Sequence, residues 1–306
     1  MVIPVTVRHQ MQKSRLVRDH FNMLIESGLT KRCDLKPFQA GAYIRNVSVK
    51  KNFDTRFRET THRCRPFLFM SVAGLVASSF ATPQVEVFES GVGSLNFPLV
   101  SGPADYRTTR STHPNFLRLI GLLLTHVNDS EVRYVLPFAG KTKAEMATRL
   151  RELNLEELAR KSSSCILHPL KRNGWQQCGH CPACVFRRQA LLTAGITEPD
   201  DAYAVDLFAE HHPDTPIPSK VMRTIRAFHQ QIAHMPELSS GSAPPSFKRY
   251  LKATNAVSSD AQLGPHIEVY RRYREEWLSL IADARRRGLP WATRPSSLAK
   301  VQGATS

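Results

Sequence analysis

The sequence predicts an α/β protein in its first half, followed by a four-cysteine metal segment and a helical C-terminal extension. Three observations support this prediction. Short β-branched runs alternate with helical patterns up to about residue 161, four cysteines lie together, and the pattern after residue 200 is wholly helical. Alternating strands and helices are typical of a parallel sheet with helical crossovers. We therefore expect three parts, at residues 1–161, 162–200 and 201–306, the last ending in a flexible polar tail.

The first part contains the predicted strands and crossover helices. A strand is predicted at residues 3–7, almost without lead-in, and a helix at residues 10–26. Residues 67–80 are apolar almost all round and follow Pro66, which the first turn of a helix tolerates, so a buried helix is predicted there. The remaining predicted elements are strands at residues 85–88 and 132–137 and helices at residues 114–124 and 143–160.

The C-terminal part is predicted to be helical, with connectors rich in Pro, Ser or Gly at residues 211–218 and 239–246. Its last helix spans about residues 266–287 and carries one apolar stripe. The stripe consists of Ile267, Tyr270, Tyr273, Trp277, Ile281 and Ala284. Outside it, one turn apart, lie the pairs Arg271 with Glu275 and Arg272 with Glu276, so the helix is first of all a packing element.

Four cysteines form the strongest motif of the chain. They are Cys165, Cys178, Cys181 and Cys184, and the last three read C-x2-C-x2-C. Thiolates repel one another and oxidise readily, so four are brought together chiefly by a soft cation such as zinc. Gly179 and Pro182 supply turns between the ligands, and a helical run follows at residues 185–194. A structural zinc site is therefore favoured.

Two alternatives to zinc stay open. An iron–sulfur cluster also uses clustered cysteines, although the bacterial ferredoxin run carries its fourth cysteine just downstream and not far upstream as here. Disulfides need an oxidising compartment, and we see no secretory segment that indicates one. Cys33 and Cys64 are isolated in sequence and are interpreted as ordinary thiols.

The charge of the chain favours phosphate-rich partners. The net charge is +16 and the pI is about 9.9, which suits a nucleotide or a nucleic acid, although a solvated basic surface explains any single cluster equally well. The most apolar stretch, residues 67–81, is too short to cross a bilayer. We therefore expect no membrane insertion and a cytoplasmic location.

Several segments together resemble one protein family. They are E-S-G-V-G-S-L-N at residues 89–96, R-S-T-H-P-N-F at residues 110–116, T-K-A-E at residues 142–145, and the cysteine cluster followed by Arg187. In this order they resemble the 7-cyano-7-deazaguanine synthase family, and more narrowly its divergent branch in Qat-type anti-phage systems of bacteria. The resemblance covers about residues 1–200.

The resemblance implies a fold, cofactors and a reaction. The fold is of the adenine-nucleotide α-hydrolase type, a doubly wound parallel sheet with a four-cysteine zinc site. The reaction is that of an ATP-dependent C–N ligase: ATP, with Mg²⁺, activates a carboxylate and releases pyrophosphate, and ammonia then attacks to give an amide and finally a nitrile. The small-molecule ligand would be a nucleotide or a deazapurine, and the substrate of the anti-phage branch stays open.

The resemblance also indicates residues that bind substrate or nucleotide. They are Glu89, Asn96, Arg110, His113 and Lys143. Glu89 and Asn96 follow a predicted strand, where ligands bind in doubly wound sheets. Arg110 offers a cation to a phosphate or carboxylate, whereas His113 also suits the start of a helix before Pro114. T-K-A-E is also a capping box, which leaves Lys143 as the phosphate contact in that segment.

The defining phosphate loop of the family, S-G-G-x-D-S, does not occur in these 306 residues. Matching the chain to the family places residues 2–10 on the second strand, so the first strand, the loop and the first helix would precede Met1. An open central slot is costly, because each buried unpaired polar group costs about 1–3 kcal/mol. We favour a start codon assigned too late or a fragment, over a strand donated by a partner chain or a rearranged sheet.

Two functions follow as hypotheses. The first is a 7-cyano-7-deazaguanine synthase-like component of bacterial anti-phage defence, inactive as written because the pyrophosphate loop is absent. The second is a non-catalytic, zinc-stabilised basic module that binds nucleic acid or a defence-system protein. A homodimer stays open in either case.

Overall fold

The computed structural model describes residues 18–19, 22–28, 64–80, 84–99, 110–166, 176–209 and 219–292. The predicted strand at residues 3–7 and Cys33 lie outside this part of the chain, and of the predicted first helix only residues 18–19 and 22–26 are described, as helix. The chain divides into two compact units. The first comprises residues 1–141 and 245–266, and the second comprises residues 142–244 and 267–306.

The elements are as follows. The α-helices are α1 Cys64–Ala77, α2 Gly91–Leu95, α3 Pro114–Asn128, α4 Lys143–Glu152, α5 Glu156–Lys161, α6 Pro182–Thr193, α7 Ser219–Ala233, α8 Pro245–Ala253 and α9 Leu263–Arg286. The strands are β1 Gln84–Glu86 and β2 Arg133–Val135, and short 3-10 turns occur at Pro236–Ser240, Asp260–Gln262 and Pro290–Ala292.

A parallel strand pair organises the first unit. β1 and β2 pair in parallel, with Val85 opposite Tyr134. Parallel strands need a long crossover, and here α2 and α3 lie between the two strands in sequence. The α/β prediction is therefore confirmed at this level. Each strand is shorter than the apolar run that predicted it, three residues in both cases.

Helices α1 and α3 form the core of the first unit with β2. Ile120, Leu124 and Val132 are buried together, with Tyr134 packed against them. Gly74 in α1 permits the close approach, because a Cβ there would collide with Leu124 and with the Tyr134 hydroxyl. The prediction of a buried helix at residues 67–80 is wrong in part, since three large apolar side chains of this range, Phe67, Leu75 and Phe80, are 48%, 47% and 40% exposed.

The second unit is helical. Ala147, Ala159, Leu191 and Ile196 form a buried cluster that joins α4, α5 and α6. The predicted single helix at residues 143–160 is two helices, because the chain turns at Asn154, whose φ is 56°. Among the described residues, no helix is both long and apolar enough to cross a bilayer.

The stripe predicted on the last helix is the buried face of α9. Five of its six members are buried: Tyr270, Tyr273, Trp277, Ile281 and Ala284. The pair Arg271 with Glu275 is confirmed at 2.6 Å. Arg272 bonds Glu268 at 2.8 Å and Glu145 at 3.0 Å, and its charge also acts on Glu276, one turn away. Glu276 accepts hydrogen bonds from Thr142 and Gln189.

Candidate metal centre and substrate site

The four cysteines of the motif converge in the second unit. Their Sγ atoms all lie within 4.8 Å of one another, and all four residues are buried. The Sγ atoms of Cys178 and Cys184 are 3.9 Å apart. Zn–S bonds of about 2.3 Å in a tetrahedron would separate the sulfurs by about 3.8 Å. The cluster thus fits a metal such as zinc, and the spacing prediction is confirmed to this extent.

Backbone amides orient the thiol groups. The N–H groups of Cys178, Cys181 and Cys184 donate to the sulfurs of Cys165, Cys178 and Cys181, at 3.4, 3.3 and 3.4 Å. Such contacts stabilise sulfur in its thiolate form, which is the form that binds a metal. Hydrogen bonds within the cluster raise the pKa of Cys178 and lower that of Cys181. Shared protons of this kind are what a divalent cation would replace.

Gly179 makes the tight turn between two of these cysteines. Its φ is +78°, a conformation that L side chains rarely adopt, and a Cβ on it would collide with the carbonyl oxygen of Val205. The segment that carries Val205 also pairs with the cysteine segment. Gln177 N–H donates to Ala202 O at 3.0 Å, and Ala204 N–H donates to Gln177 O at 2.7 Å. The turn at Gly179 and the loop at residues 202–205 are therefore in contact through backbone atoms.

Arg187 and Arg188 follow the last cysteine and bind carboxylates. Both pair with Glu198, whose side chain is fully buried, at 2.9 and 3.4 Å. Arg188 also pairs with Asp206 at 2.7 Å, and the Tyr203 hydroxyl donates to Glu198 at 2.7 Å. Burial, with Glu198 as a second cause, raises the pKa of Tyr203. The arginines thus hold the loop at residues 198–206 against α6.

Glu89 and Asn96 lie at the two ends of the short helix α2 in the first unit. Glu89 Oε1 accepts hydrogen bonds from the Ser90 N–H at 2.8 Å and from the Ser90 hydroxyl at 3.2 Å. Ser90 is the N-cap of α2, and its hydroxyl accepts from the Gly93 N–H at 3.1 Å. Asn96 is the C-cap, with φ 48° and ψ 50°. Both predicted residues therefore have local structural roles at the carboxyl side of β1.

Arg110 approaches α2 through Tyr250, a residue of α8. Its Nε donates to the Tyr250 hydroxyl at 3.3 Å, and its guanidinium carbon lies 5.5 Å from the ring centroid. The same hydroxyl donates to the carbonyl oxygen of Leu95 at 2.5 Å and lies 3.3 Å from that of Asn96. The structure thus brings the predicted residues Arg110 and Asn96 into one neighbourhood.

His113 is the N-cap of α3, which is one of the two roles that the sequence predicted for it. Its Nδ1 accepts from the Asn115 N–H at 3.2 Å. A neutral ring with Nδ1 as acceptor carries its proton on Nε2. That Nε2 is buried and has no hydrogen-bond partner among the described residues. Burial, followed by the charges of Arg110 and His266, lowers the pKa of His113 to about 4, so the ring is neutral at pH 7. His113 therefore presents a buried N–H donor beside a cation.

Lys143 opens α4 in the second unit. The capping box predicted at its segment is confirmed, with Thr142 and Glu145 each bonding the backbone of the other. The Lys143 ammonium lies 5.4 Å from the centroid of the Phe186 ring, a cation–π distance. Thr142 also donates to Glu276, a carboxyl whose pKa is raised by burial. The role predicted for Lys143 as a phosphate contact stays a prediction.

Tyr250 and Ser90 are the residues of this neighbourhood that sequence reasoning missed. Tyr250 is 8% exposed and Phe247, one turn earlier, is fully buried, so the spacing on α8 indicates a core face and nothing more. Ser90 caps the short helix α2, a common structural use of serine. Neither residue has a sequence signal that separates a site residue from a structural one.

The fold and the cluster define the class: an α/β protein with a four-cysteine site suited to a metal such as zinc. Residues 44–195 match the family model described as queuosine biosynthesis protein QueC. The chain is also 25% identical over 166 residues to the 7-cyano-7-deazaguanine synthase of Methanococcus maripaludis, an alignment that covers 53% of this chain and 68% of that relative. The chain belongs to the QueC family.

Proposed function

We propose that this protein is a 7-cyano-7-deazaguanine synthase-like, ATP-dependent C–N ligase. The substrate carboxylate attacks the α-phosphorus of ATP and pyrophosphate leaves, and ammonia then displaces AMP to give an amide. The amide oxygen attacks a second ATP with release of pyrophosphate, and loss of AMP and the remaining proton on nitrogen gives the nitrile. The single observation that supports this most is the QueC match, because residues 44–195 include every predicted site residue. The proposal includes a doubly wound sheet of the adenine-nucleotide α-hydrolase type, with ATP and Mg²⁺ at its carboxyl edge.

The proposal assigns the ligand's anionic oxygen to Arg110 and His113. A guanidinium and a neutral, buried imidazole N–H together form two donors for a carboxylate or phosphate oxygen. Donors that are fixed in a site with little water stabilise developing negative charge strongly. Glu89 and Asn96 complete the proposed ligand contacts in the first unit. A phosphate contact is proposed separately for Lys143, in the second unit.

A metal at the four cysteines has a structural role in this proposal. A closed four-thiolate site leaves no open position for substrate. Bound there, zinc would fasten Cys165 to the turn at residues 178–184 and to the start of α6. The residues themselves supply the preformed cradle, through the three N–H to sulfur contacts.

Pyrophosphate release tests the reaction. The 306 residues contain no S-G-G-x-D-S segment, so we expect release only from a chain that supplies this loop, such as an in-frame upstream extension of the gene. A small deazapurine carboxylate, ammonia and ATP are supplied, and nitrile formation is followed by mass spectrometry. In an active chain we expect Arg110→Met to abolish the reaction and Arg118→Met, at an exposed position of α3, to leave it unchanged. Pyrophosphate release from the 306-residue chain itself would overturn the need for the loop, and equal activity of the two variants would overturn the role of Arg110.

A role in anti-phage defence is proposed with this chemistry, in a cytoplasm that supplies ATP. The measurement is phage plating on a bacterial host that carries the gene and its neighbours. We expect protection that is lost when Arg110→Met replaces the wild-type chain. Protection that survives Arg110→Met would show that defence does not depend on the ligase reaction.

A binding module without catalysis is the second candidate, because the net charge of +16 favours nucleic acid as a partner. Here the measurement is binding of DNA and RNA against salt concentration. A steep loss of affinity with salt would support it, and absent or salt-insensitive binding would remove it. A defence-system protein or a second copy of the chain would be detected by the change in mass on light scattering.

A further inference from the structure

Tyr250 lies outside the residues that match the QueC family and yet contacts two of the segments that carry the match. It belongs to α8, Pro245–Ala253, whereas the family model ends at residue 195. Its contacts reach the turn at the end of α2 and the side chain of Arg110, all within the first unit. The part of the chain after residue 195 therefore contributes to this neighbourhood.

The Tyr250 hydroxyl has a defined donor and acceptor role. Its single proton goes to the Leu95 carbonyl oxygen, the nearer acceptor at 2.5 Å. Its lone pairs then accept the Arg110 Nε–H at 3.3 Å. Donating a proton polarises a hydroxyl and makes it a better acceptor, so the two bonds support each other. The hydroxyl links the guanidinium to the backbone at the end of α2.

The Tyr250 ring gives the guanidinium a second contact. The guanidinium carbon lies 5.5 Å from the ring centroid, within cation–π range. The ring is itself held by Phe97, which packs edge-on against Tyr250 at 5.1 Å and against Phe247 at 5.2 Å. A buried, packed ring cannot change rotamer freely, so it limits the positions that Arg110 can take.

We propose that Tyr250 is a positioning residue that holds the Arg110 guanidinium for an anionic oxygen of the ligand. An arginine side chain has many rotamers, and fixing it before the ligand arrives removes that entropy cost from binding. That an anion binds here rests on the proposed function. That Tyr250 positions Arg110 rests on the contacts described above.

The test uses the full chain and two matched variants. Tyr250→Phe removes the hydroxyl and keeps the ring. Tyr134→Phe, also in the first unit, removes a hydroxyl that donates to the backbone carbonyl of Met70 and contacts no arginine among the described residues. The first readout is the exchange rate of the Arg110 Nε–H with water by NMR, assigned as the resonance that Arg110→Lys lacks. We expect faster exchange, by about tenfold, in Tyr250→Phe and no change in Tyr134→Phe.

The second readout is anion binding, followed at the same Arg110 resonance. The probes are benzoate and inorganic pyrophosphate, as simple carboxylate and phosphate anions. We expect one of them to shift the wild-type resonance saturably, and Tyr250→Phe to weaken that binding by about tenfold, as the loss of one charge-assisted contact predicts. Tyr134→Phe should bind as the wild type does.

Each outcome decides something different. Unchanged Nε–H exchange in Tyr250→Phe would overturn the inference, and so would faster exchange with unchanged anion affinity. Equal losses in both variants would show a general loosening of the unit and overturn it as well. If neither anion moves the wild-type resonance, the proposed ligand contact of Arg110 fails, and the exchange readout alone decides whether Tyr250 positions it.

Discussion

Replacing Gly179 by alanine should destabilise the turn that follows Cys178 in the metal site. Two effects add in this variant. The φ of +78° is unfavourable for alanine by about 1–2 kcal/mol. The new Cβ also collides with the Val205 carbonyl oxygen, a backbone atom that moves only with its loop.

The size of the second effect follows from what that loop does. Moving Val205 disturbs the two backbone hydrogen bonds between Gln177 and residues 202 and 204, at 3.0 and 2.7 Å. Each is worth about 0.5–1.5 kcal/mol net. With the φ penalty, the loss is about 2–5 kcal/mol, a large part of the 5–15 kcal/mol or so that is typical of a folded domain.

Gly241 provides the matched control for this prediction. Its φ is +75° and a Cβ there would meet nothing within 4 Å, so Gly241→Ala measures the φ penalty alone. The assays are urea unfolding and zinc retention against a chromogenic chelator. We expect Gly179→Ala to lose about 1–3 kcal/mol more than Gly241→Ala, and to release zinc faster. Equal destabilisation of the two variants would refute the argument from the Val205 collision.

Three further predictions concern the metal, a cap and a buried imidazole. Chelation, or Cys165→Ser, should lower the melting temperature by more than about 5 °C, checked by calorimetry with zinc content measured in parallel. Thr142→Val removes the N-cap of α4 and a donor to the half-buried Glu276, so urea unfolding should show a loss of about 2–4 kcal/mol; a loss under 0.5 kcal/mol or so would contradict the cap. The lowered pKa of His113 means that the unfolded chain binds its proton first, so stability falls as the pH drops from about 6.5 to about 4. His113→Asn keeps a capping oxygen and should flatten this pH dependence by up to about 1.4 kcal/mol per pH unit, measured by urea unfolding at a series of pH values.

Local patterns predicted the helices better than the strands. The capping box at Thr142 and the cap at His113 before Pro114 fixed the first residues of α4 and α3, because these signals are contained in a few neighbouring residues. The two strands came out shorter than their apolar runs. Strand length depends on how many residues find a partner, and pairing is a property of two distant segments that neither one reveals alone.

The metal site was predictable because its chemistry is unusual, whereas the substrate site was not. Four thiols in one stretch have few explanations, and their Sγ atoms indeed meet within 4.8 Å. Arginine, histidine and tyrosine have ordinary structural uses, so Arg110 was indicated only by resemblance. Tyr250 was not indicated at all, since it follows Arg110 by 140 positions and sits on a core-like stripe. Contacts at that separation depend on tertiary packing, which sequence spacing does not encode.

The arginines near the metal site show that closeness in sequence does not identify the negative groups that a cation pairs with. Arg187 and Arg188 lie three and four residues after Cys184 in the same helix, and neutralisation of thiolates is the simple expectation. Both instead pair with the buried carboxylate of Glu198, and such a carboxylate unpaired would cost several kcal/mol. The sulfurs of Cys165, Cys178 and Cys181 accept hydrogen bonds from backbone amides, which carry only partial charge. A tetrathiolate–zinc centre would therefore keep most of its negative charge, and the α4–α5–α6 core with its own ion pairs would persist when the metal is removed. On this reasoning, chelation loosens the turn at residues 176–181 and leaves α6 in place.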